Sequence, residues 1–174
     1  HRRRDADRGP ARDRGAEVTL ISGPSTLSFP GVVRVRSTAE MHEQVMAHFG
    51  AADVVVMAAA PLDFRPRSVA SQKIKKPNAA RSLELEPTPD ILEELGCRKN
   101  GKVLAGFAAE TEDFAKNAQA KLKAKNLDLI VVNPVGGPDS GFDTDTNQAS
   151  IIDASGAVHE IPLVESLERV VRRR

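Results

Sequence analysis

The stretch from Met57 to Lys76 combines an acid and several lysines with a run of small residues. The small residues at 58–60 end an apolar run, Asp63 follows them, and Lys73 begins a cationic run ten residues later. Small residues at a strand end let a ligand approach the backbone closely, while an acid and lysines can bind a polar, anionic ligand. The stretch therefore predicts a site for a molecule that carries phosphates.

Other candidate residues lie where predicted strands end. Residues 106–111 join a strand to a helix, either at a ligand site or as a tight turn with a core phenylalanine, and Asn133 follows the next strand. The carboxyl ends of parallel strands lie at one edge of a sheet, so one crevice can hold these residues together with Asp63. Lys121 and Lys125 share a helix face, where they either contact the ligand or stabilise the C-terminal end of the helix dipole.

Several other kinds of site are not indicated. The chain lacks G-x-x-x-x-G-K-[ST] and also G-x-G-x-x-G, which argues against a dinucleotide-dependent oxidoreductase. The spacing of His42 and His48 does not bring them to one helix face as metal ligands. Cys97 has no histidine near it in the sequence. Catalysis would therefore depend on positioning and charge stabilisation rather than on a protein nucleophile.

Alternating strands and helices must position these residues. We expect strands at 17–22, 32–35, 53–59, 83–86, 102–108 and 128–132, and helices at 37–49, 88–96, 112–126 and 163–172. The run 53–59 is almost wholly apolar, which is typical of a strand covered on both faces. Ser37, Thr88 and Thr111 are the predicted N-caps, with a proline following Thr88 at the first helical position.

This alternation predicts an α/β fold, a Rossmann-like three-layer sandwich whose sheet is mostly parallel. Residues 149–153 and 158–161 are predicted to form a C-terminal antiparallel hairpin. The loops 61–81 and 133–147 exceed the usual length of a connection, which is typical of functional loops. Residues 1–14 are rich in arginine and lack apolar periodicity, so we expect a disordered or atypical segment there.

The composition limits the class of protein. With 174 residues, 40% hydrophobic and 28% charged, the chain is most simply one globular domain with its own core. A net charge of +1 argues against nucleic-acid binding driven by phosphate neutralisation, although the arginine-rich ends leave a basic tail as an alternative. No apolar run approaches the roughly 20 residues of a membrane span. A single cysteine suits the cytoplasm.

Several groups of residues carry a family resemblance through their order and spacing. They are Met57-Ala58-Ala59-Ala60 with Asp63-Phe64-Arg65-Pro66, Lys73-Ile74-Lys75-Lys76, Pro87-Thr88-Pro89-Asp90-Ile91-Leu92, Gly106-Phe107-Ala108-Ala109-Glu110-Thr111, Lys121 and Lys125 with Asn126-Leu127-Asp128, Val132-Asn133, and Gly141-Phe142 with Asp145 and Asn147. Together they resemble phosphopantothenoylcysteine synthetase, the ligase half of a bifunctional bacterial coenzyme A biosynthesis flavoprotein. The resemblance runs from about Gly15 to the end, so residues 15–174 are interpreted as one synthetase-like domain.

The resemblance implies CTP-dependent ligation of 4′-phosphopantothenate and L-cysteine through an acyl-cytidylate. Mg²⁺ would accompany CTP, and no protein ligand for a metal is assigned. The implied CTP-binding residues are Met57, Ala58, Ala59, Asp63, Lys73, Glu86, Pro87, Thr88, Pro89, Phe107, Lys121 and Lys125. Lys73 would also be catalytic in the second half-reaction, and Asn133, Phe142 and Asn147 would belong to a second loop at the site.

One departure from the family pattern leaves two interpretations. Family members begin with a strand, a segment containing Asn-x-Ser-Ser-Gly-Lys-Met-Gly and a helix, which residues 2–14 do not resemble. The chain is therefore either an active ligase domain, incomplete at its N-terminus, or a catalytically incomplete nucleotide-binding or assembly fragment. The family also implies a homodimer and association with a phosphopantothenoylcysteine decarboxylase domain. No FMN is expected in this chain, and a strict preference for CTP over ATP is not predicted.

Overall fold

The computed structural model describes residues 9–25, 30–73, 82–110, 114–134 and 147–164. Within these ranges four helices alternate with nine strands. In chain order they are α1 (Gly9–Asp13), β1 (Ile21–Ser22), β2 (Val33–Arg34), α2 (Thr38–Phe49), β3 (Val54–Met57), β4 (Phe64–Pro66), β5 (Leu85–Pro87), α3 (Ile91–Cys97), β6 (Val103–Glu110), α4 (Phe114–Ala124), β7 (Leu129–Pro134), β8 (Asn147–Asp153) and β9 (Val158–Val164).

Five strands form a mixed sheet in the order β3-β6-β7-β8-β9. Strands β3, β6 and β7 run parallel, whereas β8 is antiparallel to β7 and β9 is antiparallel to β8. Strands β1 and β2 form a separate parallel pair, and β4 and β5 a separate antiparallel pair. The predicted α/β class, with parallel strands followed by a C-terminal antiparallel hairpin, is confirmed.

The core lies between the helices and one face of the five-stranded sheet. Leu104, Ile130 and Ile152 are fully buried on neighbouring strands, and Ile130 and Ile152 are register partners across β7 and β8. Ile91 and Leu95 of α3 belong to the same buried cluster. Burying a side chain of this size stabilises a fold by about 1.5–3 kcal/mol. The cluster therefore holds α3 firmly against the strands.

Strand β3 is covered on only one face, so the prediction of two covered faces for residues 53–59 is wrong. Val55 and Met57 pack on the core, whereas Val54 and Val56 are 56% and 69% exposed. Strand β3 also lies at the edge of the described sheet. Valines favour extended backbone even where only one face is buried, so the apolar run by itself does not distinguish the two situations.

Helix α3 begins later than the sequence predicts, because Asp90 and not Thr88 is its N-cap. The Asp90 carboxylate accepts the backbone N–H of Glu93 at 3.0 Å. Thr88 has other partners: its N–H donates to the carbonyl of Asp63 at 2.8 Å, and its hydroxyl donates to the carbonyl of Leu62. These bonds hold Thr88 beside the residues that precede β4, and the cap at Thr88 is a wrong prediction.

Helix α2 matches its predicted range. The Ser37 hydroxyl accepts the N–H of Glu40 at 3.2 Å and caps it as expected. Its His42 is half-buried and lies 2.6 Å from Glu94 of α3, which ties the two helices together. The hydrogen bond from His42 lowers the pKa of the Glu94 carboxyl, assisted by the charge of Arg98.

Other boundaries differ from the predictions. Strand β1 is shorter than the predicted 17–22, β4 lies inside the predicted loop 61–81, and α1 occupies part of the segment 1–14 for which no regular structure is expected. Strand β9 runs through Leu163, where a helix is predicted to start. The described residues do not include Thr111, Lys75, Lys76 or the part of the predicted last helix beyond residue 164. None of the described helices is long and apolar enough to cross a membrane.

Candidate functional site

The C-terminal end of β3 lies beside the middle of β6, which continues to Glu110. Met57 is the register partner of Gly106, so residues 58–60 leave β3 close to Phe107. The Met57 side chain packs on the core, and what it offers at the surface is its backbone. Phe107 belongs to the opposite face by strand alternation and is 38% exposed. The strand ends thus present exposed small residues beside an accessible aromatic ring.

Helix α3 approaches this edge closely because residue 106 is a glycine. A Cβ atom at Gly106 would lie 2.9 Å from Cδ1 of Leu127 and 3.1 Å from Cδ2 of Leu92. Both distances are shorter than ordinary van der Waals contact. The missing side chain therefore lets α3 and the segment before β7 pack directly on β6, which sets the distance between α3 and the strand ends.

The ribbon of β4 and β5 carries two of the predicted site residues, Glu86 and Pro87, and two more, Asp63 and Thr88, lie directly beside its strands. Thr88 is bonded through its backbone to Asp63, as described above, and the Asp63 side chain is exposed. Glu86 lies 2.7 Å from Nε of Arg65 on the paired strand. Pro87 is the last residue of β5 and pairs in register with Phe64. The sequence 86–89 and Asp63 therefore belong to one local structure, although more than 20 residues separate them along the chain.

Lys125 joins this structure through an ion pair. Its Nζ atom lies 2.6 Å from Oδ2 of Asp90, directly after the Pro87–Pro89 segment. Partial burial raises the pKa of the Asp90 carboxyl, but the bonds from Lys125 and from the Glu93 N–H outweigh it, so the pKa lies below its usual value. Asp90 is therefore ionised at neutral pH and holds the ammonium group of Lys125 at the start of α3.

The structure connects most of the predicted site residues in two groups. Along β3 and β6 lie Met57, Ala58, Ala59 and Phe107, and the ribbon with the start of α3 joins Asp63, Glu86, Pro87, Thr88, Pro89 and Lys125. Lys121 is exposed on α4, one turn before Lys125, and it interacts with another residue. Lys73 is exposed in an irregular segment, and no described contact connects it to the strand ends.

The second predicted loop is described only at its two ends. Asn133 lies in β7 as the register partner of Ala109, and Asn147 is the first residue of β8. Phe142 lies outside the described residues. The backbone of Asn133 therefore reaches the same edge of the sheet as residues 106–110, as its position after a strand predicts.

Sequence reasoning missed the contacts that fix Lys125. A Cβ atom at Gly96 would lie 2.1 Å from the carbonyl oxygen of Lys125, so only glycine allows this approach of α3 to the end of α4. Asn126 has a left-handed backbone (φ 51°), and its side-chain amide donates to the carbonyl of Gly96 at 2.9 Å. An asparagine directly after a helix is a known signal for such a helix end. The sequence near Gly96 and near Lys125 gives no indication that these two residues are in contact.

A second set of contacts, made by Asp128, also fixes α3. Lys99, at the end of α3, contacts Oδ1 of Asp128 at 2.7 Å, and Oδ2 of Asp128 accepts the backbone N–H of Leu104 at 2.7 Å. Partial burial raises the pKa of Asp128, but the bonds from Lys99 and Leu104 outweigh it and lower the pKa overall. One carboxylate therefore joins the end of α3 to the start of β6, and α3 is fixed at both ends.

Comparisons with known proteins identify relatives of this chain. The model of the DFP family, the DNA/pantothenate metabolism flavoprotein C-terminal domain, matches residues 9–171. The coenzyme A biosynthesis bifunctional protein CoaBC of Bacillus subtilis (strain 168) is 44% identical over 158 residues, covering 88% of this chain and 39% of that protein. A cysteine/cysteine sulfinic acid decarboxylase from an unknown prokaryotic organism is 44% identical over 154 residues, covering 86% and 43%.

A solved structure is similar as well. The crystal structure of the C-terminal domain of a CoaBC protein superposes with a TM-score of 0.75 at 37% identity, over 93% of this chain and 72% of that one. This chain spans 39% and 43% of the two curated relatives, so it corresponds to a part of each. Because the family model matches most of the sequence, this chain belongs to the DFP family, and the family resemblance carried by its motifs is confirmed.

Proposed function

We propose that this chain acts in coenzyme A biosynthesis as a CTP-dependent ligase that joins 4′-phosphopantothenate and L-cysteine. The observation that carries the proposal is the contact of Thr88 with Asp63, in the segment that follows the end of β3, next to the Asp90–Lys125 ion pair at the start of α3. A site of this kind, at the carboxyl ends of parallel strands, is where α/β sheets bind nucleotides. The coenzyme A biosynthesis proteins among the relatives support the pathway.

The first half-reaction would activate the acid. A carboxylate oxygen of 4′-phosphopantothenate attacks the α-phosphorus of CTP and forms a new P–O bond. The bond from the α-phosphorus to the bridging oxygen breaks, and pyrophosphate leaves with the electron pair. The Lys125 ammonium would neutralise part of the phosphate charge, assisted by Lys121. The exposed backbone of residues 58 and 59 would lie against the nucleotide.

The second half-reaction would form the amide. The amine nitrogen of L-cysteine attacks the acyl carbon, the C–N bond forms, the C–O bond to the cytidylate breaks, and CMP leaves while the nitrogen loses a proton. Lys73 is the residue proposed to act in this step. Its side chain is exposed on the segment that follows β4.

Mg²⁺ fits this site as a companion of the nucleotide. Among the described residues no three His, Cys, Asp or Glu side chains form a cluster that could hold a metal ion by themselves. Mg²⁺ commonly keeps several waters and binds through substrate phosphates with one or two carboxylates, and Asp63 is an exposed carboxylate beside the ribbon. When bound, Mg²⁺ would neutralise charge on the triphosphate.

The proposal is tested by measuring pyrophosphate release by the purified chain. We expect release that requires CTP, Mg²⁺ and 4′-phosphopantothenate together, and amide product only when L-cysteine is added. ATP in place of CTP tests the preference for the base. A folded sample that releases no pyrophosphate under these conditions would rule out an active ligase.

A second candidate is a nucleotide-binding or assembly fragment that does not complete catalysis. The exposure of Val54 and Val56, and the separation of the β1–β2 pair from the five-stranded sheet, favour it, because both leave apolar groups and strand edges unpaired within the described residues. Calorimetry that detects CTP binding without turnover would support this candidate. Full turnover would exclude it.

The proposed partners follow from the same family. We propose a homodimer, for which the ribbon of β4 and β5 offers an apolar face with Phe64 58% and Leu85 51% exposed. Association with a phosphopantothenoylcysteine decarboxylase domain is proposed because the bifunctional relatives are much longer than this chain. A cytoplasmic location suits the one cysteine, Cys97, which is free and exposed.

A further inference from the structure

We infer that Asp90 is a positioning residue that holds the ammonium group of Lys125 in place for the phosphates of the nucleotide. The inference deepens the proposed function and rests on it. It goes beyond the sequence prediction, in which Thr88 is the N-cap of this helix and Asp90 has no role of its own. Three observations carry it: the division of the Asp90 oxygens, the fixed backbone of Lys125, and the donors that Lys125 keeps.

The two oxygens of Asp90 have separate tasks. Oδ1 accepts the N–H of Glu93 at 3.0 Å and caps α3, whereas Oδ2 lies 2.6 Å from Nζ of Lys125. The carboxylate cannot turn toward another partner without breaking the cap of α3. It is therefore a fixed anchor, whereas a lysine at the end of a helix would otherwise sample many rotamers.

The backbone of Lys125 is fixed by the same helix. Its carbonyl oxygen lies against Gly96 so closely that no Cβ atom would fit there, and the following residue, Asn126, donates to the carbonyl of Gly96 at 2.9 Å. Helix α3 thus holds Lys125 at both its carbonyl group and its ammonium group. The long side chain between them has little freedom left.

The ion pair serves positioning better than stability. The side chains of Lys125 and Asp90 are 29% and 40% exposed, and pairs that are exposed to this degree add little to stability in water. An ammonium group has three N–H donors, and Asp90 takes one of them. Within the part of the chain that the structure describes, no other acceptor contacts Nζ, which leaves two donors for phosphate oxygens. Without Asp90, the cost of ordering Lys125 would be added to the binding of the nucleotide.

The test compares CTP-dependent pyrophosphate release by the wild type with release by Asp90→Asn. Asparagine is also a good N-cap, so α3 is kept while the charge that holds Lys125 is removed. We expect the KM for CTP to rise about tenfold, the order of the side-chain entropy of a lysine, with kcat within about twofold. We expect the melting temperature to change little. Asp90→Ala, which removes both the cap and the pair, should raise KM similarly and also lower the melting temperature.

A Lys125→Gln background separates positioning from a direct effect of Asp90. If Asp90 acts through Lys125, Asp90→Asn has no further effect on KM in that background. An equal rise in KM with and without Lys125 would overturn the inference, and so would an unchanged KM for Asp90→Asn in an otherwise wild-type chain.

Failure of the proposed function gives a different result. A wild type that shows no CTP-dependent release overturns the ligase proposal, and the inference about nucleotide positioning falls with it. The Asp90–Lys125 ion pair can be tested in the absence of nucleotide by an NMR titration of the Asp90 carboxyl. We expect the pKa of Asp90 to rise in Lys125→Gln. A Lys125→Gln chain with an unchanged Asp90 pKa would overturn the contact even in an active enzyme.

Discussion

The lysines of the candidate site are held in different ways. Lys125 is fixed by α3 and its ion pair with Asp90, whereas Lys73 is exposed in an irregular segment. A fixed ammonium group provides a preorganised charge for a bound anion, which lowers the cost of binding. A lysine on an irregular segment can follow the ligand as the reaction proceeds. We therefore propose that Lys125 acts in nucleotide binding and Lys73 in the later step.

This division predicts a specific defect for Lys73→Gln. Glutamine keeps most of the length of the side chain but removes the charge. We expect the conversion of the acyl-cytidylate to slow by about 10²-fold, the usual effect of removing one donor that stabilises a transition state. Formation of the intermediate should slow much less. Rapid-quench measurement of both half-reactions checks this, with Arg67→Gln as a control on the same segment. Equal loss in both half-reactions would contradict the assignment.

Another prediction concerns Asp153, in the turn between β8 and β9. Its carboxylate accepts the Ser155 hydroxyl at 2.6 Å and the N–H of Ala157 at 3.1 Å. The bond from Ser155 is the largest cause that lowers the pKa of Asp153, from a usual 3.8 to about 2. Because the folded pKa is the lower one, this carboxylate contributes stability above about pH 4 and loses the contribution as the pH falls through 2.

Asp153→Asn should therefore lower the melting temperature at pH 7, and the difference from the wild type should shrink below pH 4 and vanish near pH 2. Thermal melts monitored by circular dichroism between pH 2 and pH 7 check this. Glu160→Gln, on the exposed side of β9, is the control and should show no such dependence. A difference that is constant across this range of pH would show that the hairpin does not depend on an ionised Asp153.

At the scale of elements, the close contact of α3 with the end of α4 determines the geometry of the site. Alanine at Gly96 would place its Cβ atom 2.1 Å from the Lys125 carbonyl oxygen, so the two helices would have to move apart. We expect Gly96→Ala to lower the free energy of unfolding by about 1–3 kcal/mol, as overpacking commonly does. It should also weaken CTP binding through the displacement of Lys125.

Gly50→Ala is the matched control for this change. Gly50 follows α2 with a helical backbone (φ −56°), and no atom lies within 4 Å of the position of an added Cβ atom. Alanine there should be neutral or stabilise the fold by up to about 1 kcal/mol. Urea denaturation of both variants, with calorimetry of CTP binding, makes the comparison. If Gly96→Ala behaves like Gly50→Ala, the α3–α4 contact does not constrain the site.

The elements that could be predicted are those with strong local signals. Ser37 and the apolar periodicity after it identify α2, and the apolar runs before Gly106 and Asn133 identify β6 and β7. Their parallel arrangement places the strand ends of the site at one edge. Strand β4 could not be predicted in this way, because it forms through pairing with β5. Nothing in the sequence of residues 64–66 indicates that partner.

The cap of α3 shows why the rest of the site could not be predicted. Thr88-Pro89-Asp90 offers two capping residues, and propensity favours neither strongly. The choice depends on Thr88 being bonded to Asp63 across the ribbon, a contact between distant parts of the chain. The pairing of Asp90 with Lys125 follows from the same choice, since it is Asp90 at the cap position that reaches the end of α4.

At the scale of the whole molecule, the ribbon of β4 and β5 has two different faces. Arg65 pairs with Glu86 at 2.7 Å and Arg67 with Glu84 at 3.1 Å, so one face is charged and internally paired. Phe64 and Leu85 lie on the other face by register and strand alternation. Large apolar side chains grouped on one exposed face are typical of a protein–protein contact. The proposed homodimer would bury this face against that of a second copy.

The last prediction follows from this arrangement. In a two-fold symmetric dimer each substitution changes the interface twice, so Phe64→Ser with Leu85→Ser removes four large apolar side chains. Each is about half exposed before association, so its burial is worth about half of the 1.5–3 kcal/mol of full burial, and the dissociation constant should rise at least about 100-fold. Sedimentation equilibrium should then find the wild type dimeric and the double variant monomeric at equal concentration. Val158→Ser, an exposed valine at the far hairpin, should remain dimeric. A monomeric wild type, or a double variant as dimeric as the wild type, would exclude this face as the interface.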